Sequence, residues 1–315
     1  MFGKTILITG AYGFIGTNIS LHLKDKRDFN LIALDLINIP NNNYAIQYLW
    51  NDLDVIDWDK LDVVIHLAGK AHDTKNSDDP QSYYKINYDL TKIVFDRFKC
   101  SKAKKFIFFS SVKANSDTVS GDYLIETNIP NPQSPYGKSK LLAEQYIQNQ
   151  TLPIGKQVYI LRPCMIHGSG NKGNLNLLYK LAQKGLPWPL GAFENHRSFT
   201  SIQNLLFVIQ ELIVKDIESG IYQIADDETL STNELIRLMG DSLNRKTHIW
   251  NISPSMIKLI AKTGDKLGLP LNSERLKKLT ESYVVSNQKI KKALGIEKMP
   301  CTAIEGMKKT FVSFL

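Results

Sequence analysis

The stretch Lys4-Thr5-Ile6-Leu7-Ile8-Thr9-Gly10-Ala11-Tyr12-Gly13-Phe14-Ile15-Gly16 decides the fold. Its first six residues form a short apolar run of β-type side chains, the pattern of a strand buried on both faces. Gly10, Gly13 and Gly16 follow at intervals of three, and a helix is expected from about Gly13 to Lys24. A Gly-rich turn between strand and helix is suited to a dinucleotide. Gly10 permits the tight turn. Gly13 lets the backbone approach a pyrophosphate at the free N–H groups of the helix start. Gly16 lets helix and strand pack closely.

The same alternation continues outward. Strands are expected at Leu31–Asp35, Asp62–Gly69, Lys105–Ser111 and Gln157–Leu161. Helices are expected from Pro80 to about Lys99 and from Pro135 to about Asn149. Alternating strands and helices imply an α/β chain with a doubly wound parallel sheet. After Arg162 the pattern breaks into loops at 168–174 and 185–197. A helix from about Asn204 then leads to a strand at Gly220–Ala225, and the remainder is helical and lysine-rich. The expected organisation is a dinucleotide-binding part over 1–165, with 200–225 returning to its sheet. Residues 166–199 and 226–315 would form a smaller, mostly helical lobe over the substrate.

Several residues fall where such a sheet places its ligand. Asp35 ends the second strand, 19 residues after Gly16. A carboxylate there accepts hydrogen bonds from an adenosine ribose and repels a 2′-phosphate, so NAD is expected over NADP. Asp52 and Leu53 follow the short third strand and are candidates for the adenine side. Leu67, Ala68 and Gly69 end the next strand beside the cofactor path. Tyr136 and Lys140 stand four apart at the start of a helix, and so share a face. A tyrosine titrates near 10, but a neighbouring ammonium favours its phenolate. Ser110 and Ser111 end a strand at the carboxyl edge, where a hydroxyl can hold a reacting oxygen. Alternation turns only one of the two toward the site.

The chain has 315 residues, 43% of them hydrophobic and 22% charged, as in an ordinary globular protein. No apolar run is long enough to span a bilayer and no leader is evident, so a cytoplasmic location and no membrane partner are expected. Cys100, Cys164 and Cys301 are too few and too scattered for a disulfide framework or a metal site. The net charge is +8. The lysines are dispersed along helices without interleaved aromatics, which argues against nucleic acid and suits an anionic substrate.

These stretches together resemble the extended short-chain dehydrogenase/reductase family, in particular its nucleotide-sugar epimerases, dehydratases and reductases. The resemblance rests on Thr9–Gly16, Asp35, Asp52-Leu53, His66–Gly69, Asn87, Phe109–Ser111, Tyr136–Lys140 and Leu161-Arg162-Pro163. It implies a Rossmann-type fold and NAD, with Tyr12, Phe14, Ile15, Asn87 and Pro163 also along the cofactor. Asn195–Phe199 resembles the segment whose arginine grips a substrate diphosphate, here Arg197, with Arg275 a weaker second. Gly173-Asn174 resembles the loop whose asparagine meets the nucleotide sugar. Many members carry Ser or Thr where this chain has Val112, followed by Lys113, which leaves Ser110 and Ser111 both open as the hydroxyl. A 4,6-dehydratase usually has an Asp-Glu pair at those two positions. The resemblance implies action at sugar C4: a UDP-hexose or UDP-N-acetylhexosamine 4-epimerase, or alternatively a reductase of a UDP-4-keto-6-deoxy sugar. A dinucleotide-binding sensor on the same fold would have no need of Tyr136 and Lys140. A homodimer, if formed, is expected through the helices at 80–99 and 135–149.

Overall fold

In the computed structural model, the apolar runs read above lie side by side as seven parallel strands: β1 (Lys4–Thr9), β2 (Phe29–Asp35), β3 (Ile46–Leu49), β4 (Val63–His66), β5 (Lys105–Phe109), β6 (Gln157–Pro163) and, from farther along the chain, Gly220–Ile224. The structure describes residues 3–26, 28–70, 79–171, 173–268 and 271–315, without the side chain of Asn174. Two further strands, β7 (Met165–His167) and β8 (Phe199–Ser201), pair in parallel outside the main sheet, so Gly220–Ile224 is β9. The order β3-β2-β1-β4-β5-β6-β9 reverses direction between β1 and β4. That reversal opens a crevice at the strands' carboxyl ends, where α/β sheets bind ligands.

Alternate residues of each strand face opposite layers. Ile6 and Ile8 pack with Ile19, Leu205, Ile209 and Ile290. Leu7 and Val64 pack with Phe95, Phe98, Phe106 and Phe108. The first layer is covered by α1 (Phe14–Leu23), the second by helices between β4 and β6: α2 (Gln81–Tyr84), α3 (Leu90–Cys100) and α4 (Pro135–Gln148). Each such side chain taken from water contributes about 1.5–3 kcal/mol. The helix expected across 80–99 is not continuous. A π-helical turn at Lys85–Asp89 joins α2 to α3 and carries the buried Asn87.

The later helices are α5 (Asn174–Gln183), α6 (Ile202–Val214), α7 (Thr232–Ser242), α8 (Pro254–Leu267), α9 (Ser273–Thr280), α10 (Gln288–Leu294) and α11 (Ala303–Val312). Residues of α6 and α10 join the first layer of the main core. A separate cluster, including Leu175, Trp188, Leu235, Met239, Ile257 and Phe311, gathers α5, α7, α8 and α11 into a lobe above the strand ends.

Candidate active site

The glycines of the first turn are dictated by close approach. Gly10 has φ +67°, and a Cβ there would lie 2.9 Å from the backbone nitrogen of Ala68. At Gly16 it would lie 2.4 Å from the Ala11 carbonyl oxygen, so only glycine lets α1 settle on the turn. Gly13 caps α1 without a side chain. The N–H groups of the helix's first turn have no intrahelical acceptor and face the crevice edge with the positive end of the helix dipole. Asp35 ends β2 beside them. One carboxylate oxygen accepts from Tyr12 N at 2.8 Å and the other from Leu36 N at 2.7 Å, leaving lone pairs for a ribose. Glycine cradle, free N–H groups and carboxylate fit a dinucleotide.

The other residues expected along the cofactor divide into two groups. Leu67, Ala68 and Gly69 lie against the Gly10 turn: Leu67 N donates to Thr9 O at 3.1 Å and Ala68 N to Thr9 Oγ1 at 3.2 Å. Pro163 closes β6 at the same edge, and Phe14 and Ile15 open α1. Asp52, by contrast, accepts from Leu49 N at 2.7 Å and closes the turn after β3, while Leu53 packs on the second core layer. Asn87 is buried and engaged within the protein. It accepts from Lys70 N at 2.8 Å and donates to Lys70 O and Ser139 Oγ, both at 3.1 Å. It therefore fixes the turn at Gly69, and the π-helical turn sets its side chain inward. No pattern in the sequence announces that turn.

Beneath Asn87 lies a buried relay absent from the sequence reading. His66 Nδ1 lies 2.7 Å from Thr9 Oγ1, and Nε2 lies 3.0 Å from Thr91 Oγ1. Thr91 Oγ1 donates to Asn87 O at 2.7 Å, so it must accept from His66 Nε2–H. The Nδ1 atom then accepts from Thr9. Burial and, secondarily, the charge of Lys140 push the imidazole pKa down to about 3, so it stays neutral.

On α4, Tyr136, Lys140 and Glu144 recur every four residues and line one face. Pro135 and the Ser134 cap, whose Oγ accepts from Gly137 N at 3.2 Å, fix where the helix starts. The two serines separate along this stripe. Ser110 Oγ donates to Glu144 Oε1, deep in the core. Ser111 makes a side-chain hydrogen bond with Tyr136. Glu144 is also paired with Arg162, through Arg162 Nε at 2.9 Å and Nη2 at 2.5 Å. All of that pair is buried, so Ser110 belongs to the support, whereas Ser111 is turned to Tyr136.

Lys140 donates to Phe109 O at 2.8 Å and sits beside Gly69, where a Cβ would lie 3.0 Å from its ammonium. Burial lowers its pKa to about 8, against the opposing pull of Glu144. Here the structure differs from the sequence argument about the tyrosine. Burial raises the Tyr136 pKa, the hydrogen bond from Ser111 counters it, and the nearby Tyr83 raises it further. The Tyr83 ring stands edge-on to Tyr136 at 6.1 Å. Lys140 is held at the strand end, and Ser111 and Tyr83 are among the ring's neighbours.

The opposite wall of the cleft comes from the lobe. Arg197 pairs through its backbone with Leu230 and Tyr283, and its Nη1 donates to Lys278 O at 2.5 Å. Burial lowers its pKa. Arg275 lies on α9, three residues before Lys278 and on the same helical face. Asn174 opens α5, but its side chain lies outside the described residues. Lys113 belongs to this wall as well. Its ammonium donates to Asp117 O at 2.8 Å and lies 4.1 Å from the centre of the Tyr283 ring. Burial lowers its pKa; Asp117 opposes this and Arg197 adds to it. Tyr283 thus carries one cation on its ring and another on its backbone partner, an arrangement that links positions 170 residues apart.

A dinucleotide turn with a strand-end Ser beside a Tyr-x-x-x-Lys helix defines a hydride-transfer enzyme of the Rossmann type. The model of the NAD dependent epimerase/dehydratase family matches residues 6–225, and the chain belongs to that family. It is an NAD-dependent enzyme of the extended short-chain dehydrogenase/reductase type. It is 30% identical over 99% of its length to a UDP-glucose 4-epimerase of Vibrio cholerae, 96% of which is covered. It is 28% identical to the N-acetyl-alpha-D-glucosaminyl-diphospho-ditrans,octacis-undecaprenol 4-epimerase of Escherichia coli O157:H7, over 95% of this chain and 88% of that protein. In fold it is similar to a UDP-glucuronic acid 4-epimerase from Bacillus cereus solved with NAD, with TM-score 0.73 and 20% identity over 99% of both chains.

Proposed function

We propose that the protein is a 4-epimerase of UDP-hexoses or UDP-N-acetylhexosamines. The contact between Ser111 and Tyr136, at the carboxyl end of β5 and beside the Gly69 turn, carries this reading. Tyr136 takes the proton of the sugar 4-hydroxyl, and Ser111 holds that oxygen as its charge changes. Bound NAD supplies the acceptor, and later the donor, of one hydride at that carbon, so the reaction needs no external oxidant. Lys140, set between Phe109 O and Gly69, places positive charge along the cofactor side of the site. Arg197, Arg275 and Lys113 hold the substrate's diphosphate from the lobe side. Asn174 is the residue we assign to the nucleotide sugar itself.

Proton NMR of purified protein with UDP-glucose, UDP-galactose and their N-acetyl forms tests the proposal. Interconversion at C4 without added cofactor is expected, with NAD retained near one per chain. No interconversion of any of the four would overturn it. A 4-keto-sugar reductase would use Tyr136 once, as proton donor, and would consume NADH or NADPH in step with substrate. The carboxylate of Asp35 at the ribose side favours NAD and, with it, the epimerase. The wall of Arg197, Arg275 and Lys113 recognises a diphosphate whatever it carries. The relative from Escherichia coli O157:H7 therefore supports a second substrate class, a sugar diphosphate on a polyprenyl lipid. We also assign the exposed Ile86, Ile93 and Leu142, on the helix pair flanking the sheet, to a homodimer contact in a cytoplasmic enzyme.

A further inference from the structure

Among the described residues no helix is long and apolar enough to cross a membrane. That bears on spanning a bilayer, not on lying against one. α8 buries only a narrow strip, Ile257, Ala261 and Gly264. A Cβ on Gly264 would lie 2.0 Å from the Leu271 carbonyl oxygen, so this strip sits directly on backbone. Next round the helix come Met256, Leu259, Ile260, Thr263 and Leu267. At the helical repeat they fall within an arc of about 100°. The four apolar ones are 52%, 66%, 44% and 67% exposed, in chain order. Beside that arc run Lys258, Lys262 and Lys266, spaced by four along one line. The neighbouring acid, Asp265, is capped by Ser273, whose N and Oγ donate to it at 2.8 and 2.5 Å. Trp250, four residues before the helix, is 54% exposed.

An apolar stripe edged by a row of lysines, with an exposed tryptophan at one end, has the composition of a helix that lies in a membrane interface. We propose that α8 docks the protein on an anionic bilayer surface, with Met256, Leu259, Ile260 and Leu267 among the headgroups and the lysine row against lipid phosphates. The net charge of +8 favours a negative partner over a second copy of the chain. α8 packs on α9, the helix that holds Arg275 and receives Arg197. Docking therefore brings the cleft to within about one helix diameter, ~10 Å, of the headgroups. The proposal rests on the epimerase reading only for its purpose, access to a diphosphate sugar carried on a lipid.

Co-sedimentation tests docking without turnover. The full-length protein is mixed with vesicles of phosphatidylethanolamine and phosphatidylglycerol, or with vesicles of phosphatidylcholine alone. It is expected to sediment with the anionic vesicles and to be released by high salt. Each of Lys258→Gln, Lys262→Gln and Lys266→Gln should lower partitioning about fivefold. The double variant Leu259→Ser/Met256→Ser should lower it by more than about tenfold. These side chains are exposed, so NAD content and UDP-sugar turnover should match wild type and report intact folding. Wild-type protein left in solution with anionic vesicles overturns the proposal. So does a double variant that binds like wild type, or one that merely converts a dimer to monomers. Vesicle binding by a protein that turns over no UDP-sugar would keep the docking and sink the epimerase reading.

Discussion

On the sheet side of the cleft, Glu144 accepts from both Ser110 and Arg162 in the core, with only Arg162 Nη1 of these three side chains left without a partner among the described residues, and His66 is held between Thr9 and Thr91. Across the cleft, Lys113 and Arg197 rest on carbonyl oxygens, Asp117 O and Lys278 O, and among the described residues neither forms an ion pair. A carbonyl orients a cation without cancelling its charge, whereas Glu144 cancels that of Arg162. The sheet side thus pairs most of its charge within the protein, whereas on the lobe side the two cations face only the more distant carboxylates of Asp117 and Glu281. The first wall should answer mutation in rate and stability, the second in substrate affinity.

The largest effect should come from Tyr136→Phe. It removes the proposed proton acceptor and leaves the ring against Tyr83, so kcat for C4 interconversion should fall about 10²–10⁴-fold while NAD stays bound. Activity within tenfold of wild type would move the chemistry elsewhere. Next comes the support beneath it. Glu144→Ala strands the buried Arg162 guanidinium and should cost about 3–5 kcal/mol in denaturant unfolding. That is a large share of the roughly 5–15 kcal/mol typical of a folded protein. Glu144→Met with Arg162→Met removes both charges and should recover most of the loss. If the single variant unfolds like wild type, the sheet side is not a pre-built wall.

Much of this first wall was legible in the sequence because its constraints are local. Gly10 and Gly16 are required by contacts within the turn or with the adjacent strand end, and Asp35 by the end of β2. The apolar period of each strand follows from burial on both faces. Tyr136 and Lys140 declare themselves by helical spacing. What stayed hidden depends on distant partners. That Ser110 is drawn into the core depends on Glu144, eight residues beyond Tyr136 on the same stripe and paired with Arg162 of β6. Asn87 turns inward through a π-helical turn that no residue pattern marks. Lys113 joins Arg197 only because Tyr283 returns from near the C-terminus to lie between them. The β7–β8 pair was missed for a similar reason: three-residue strands carry too few side chains to show a period.

His66 offers a finer test of the sheet side. Its folded pKa of about 3 lies below the value near 6.5 of an unfolded histidine. Between those limits the unfolded chain binds a proton that the native protein does not, so stability falls as pH falls. From pH 7 to pH 5 the histidine should cost about 2 kcal/mol. His66→Gln lacks that titration, and its unfolding free energy should fall by correspondingly less over the same interval. Equal pH slopes in the two proteins would mean that the imidazole takes up a proton in place, and that the relay to Thr91 is looser than its geometry.

Lys113→Met should have the smallest effect and the one most specific to the lobe side. Methionine keeps the length and apolar contact over Tyr283 but removes the ammonium. If Lys113 serves the diphosphate, KM for UDP-sugars should rise about tenfold, the equivalent of one charge-assisted hydrogen bond, with kcat little changed. NAD content should not move, because the residues proposed to hold the cofactor lie on the sheet side. Raising the salt concentration should narrow the gap between variant and wild type, since screening weakens the attraction that only the wild type has. The informative alternative is a fall in kcat at constant KM. Lys113 stands two residues after Ser111, the hydroxyl proposed to hold the reacting oxygen, so a role in the chemistry is the alternative to test. A loss confined to kcat would show that it acts on the transition state, and would transfer it from the wall that waits for an anion to the wall that does the chemistry.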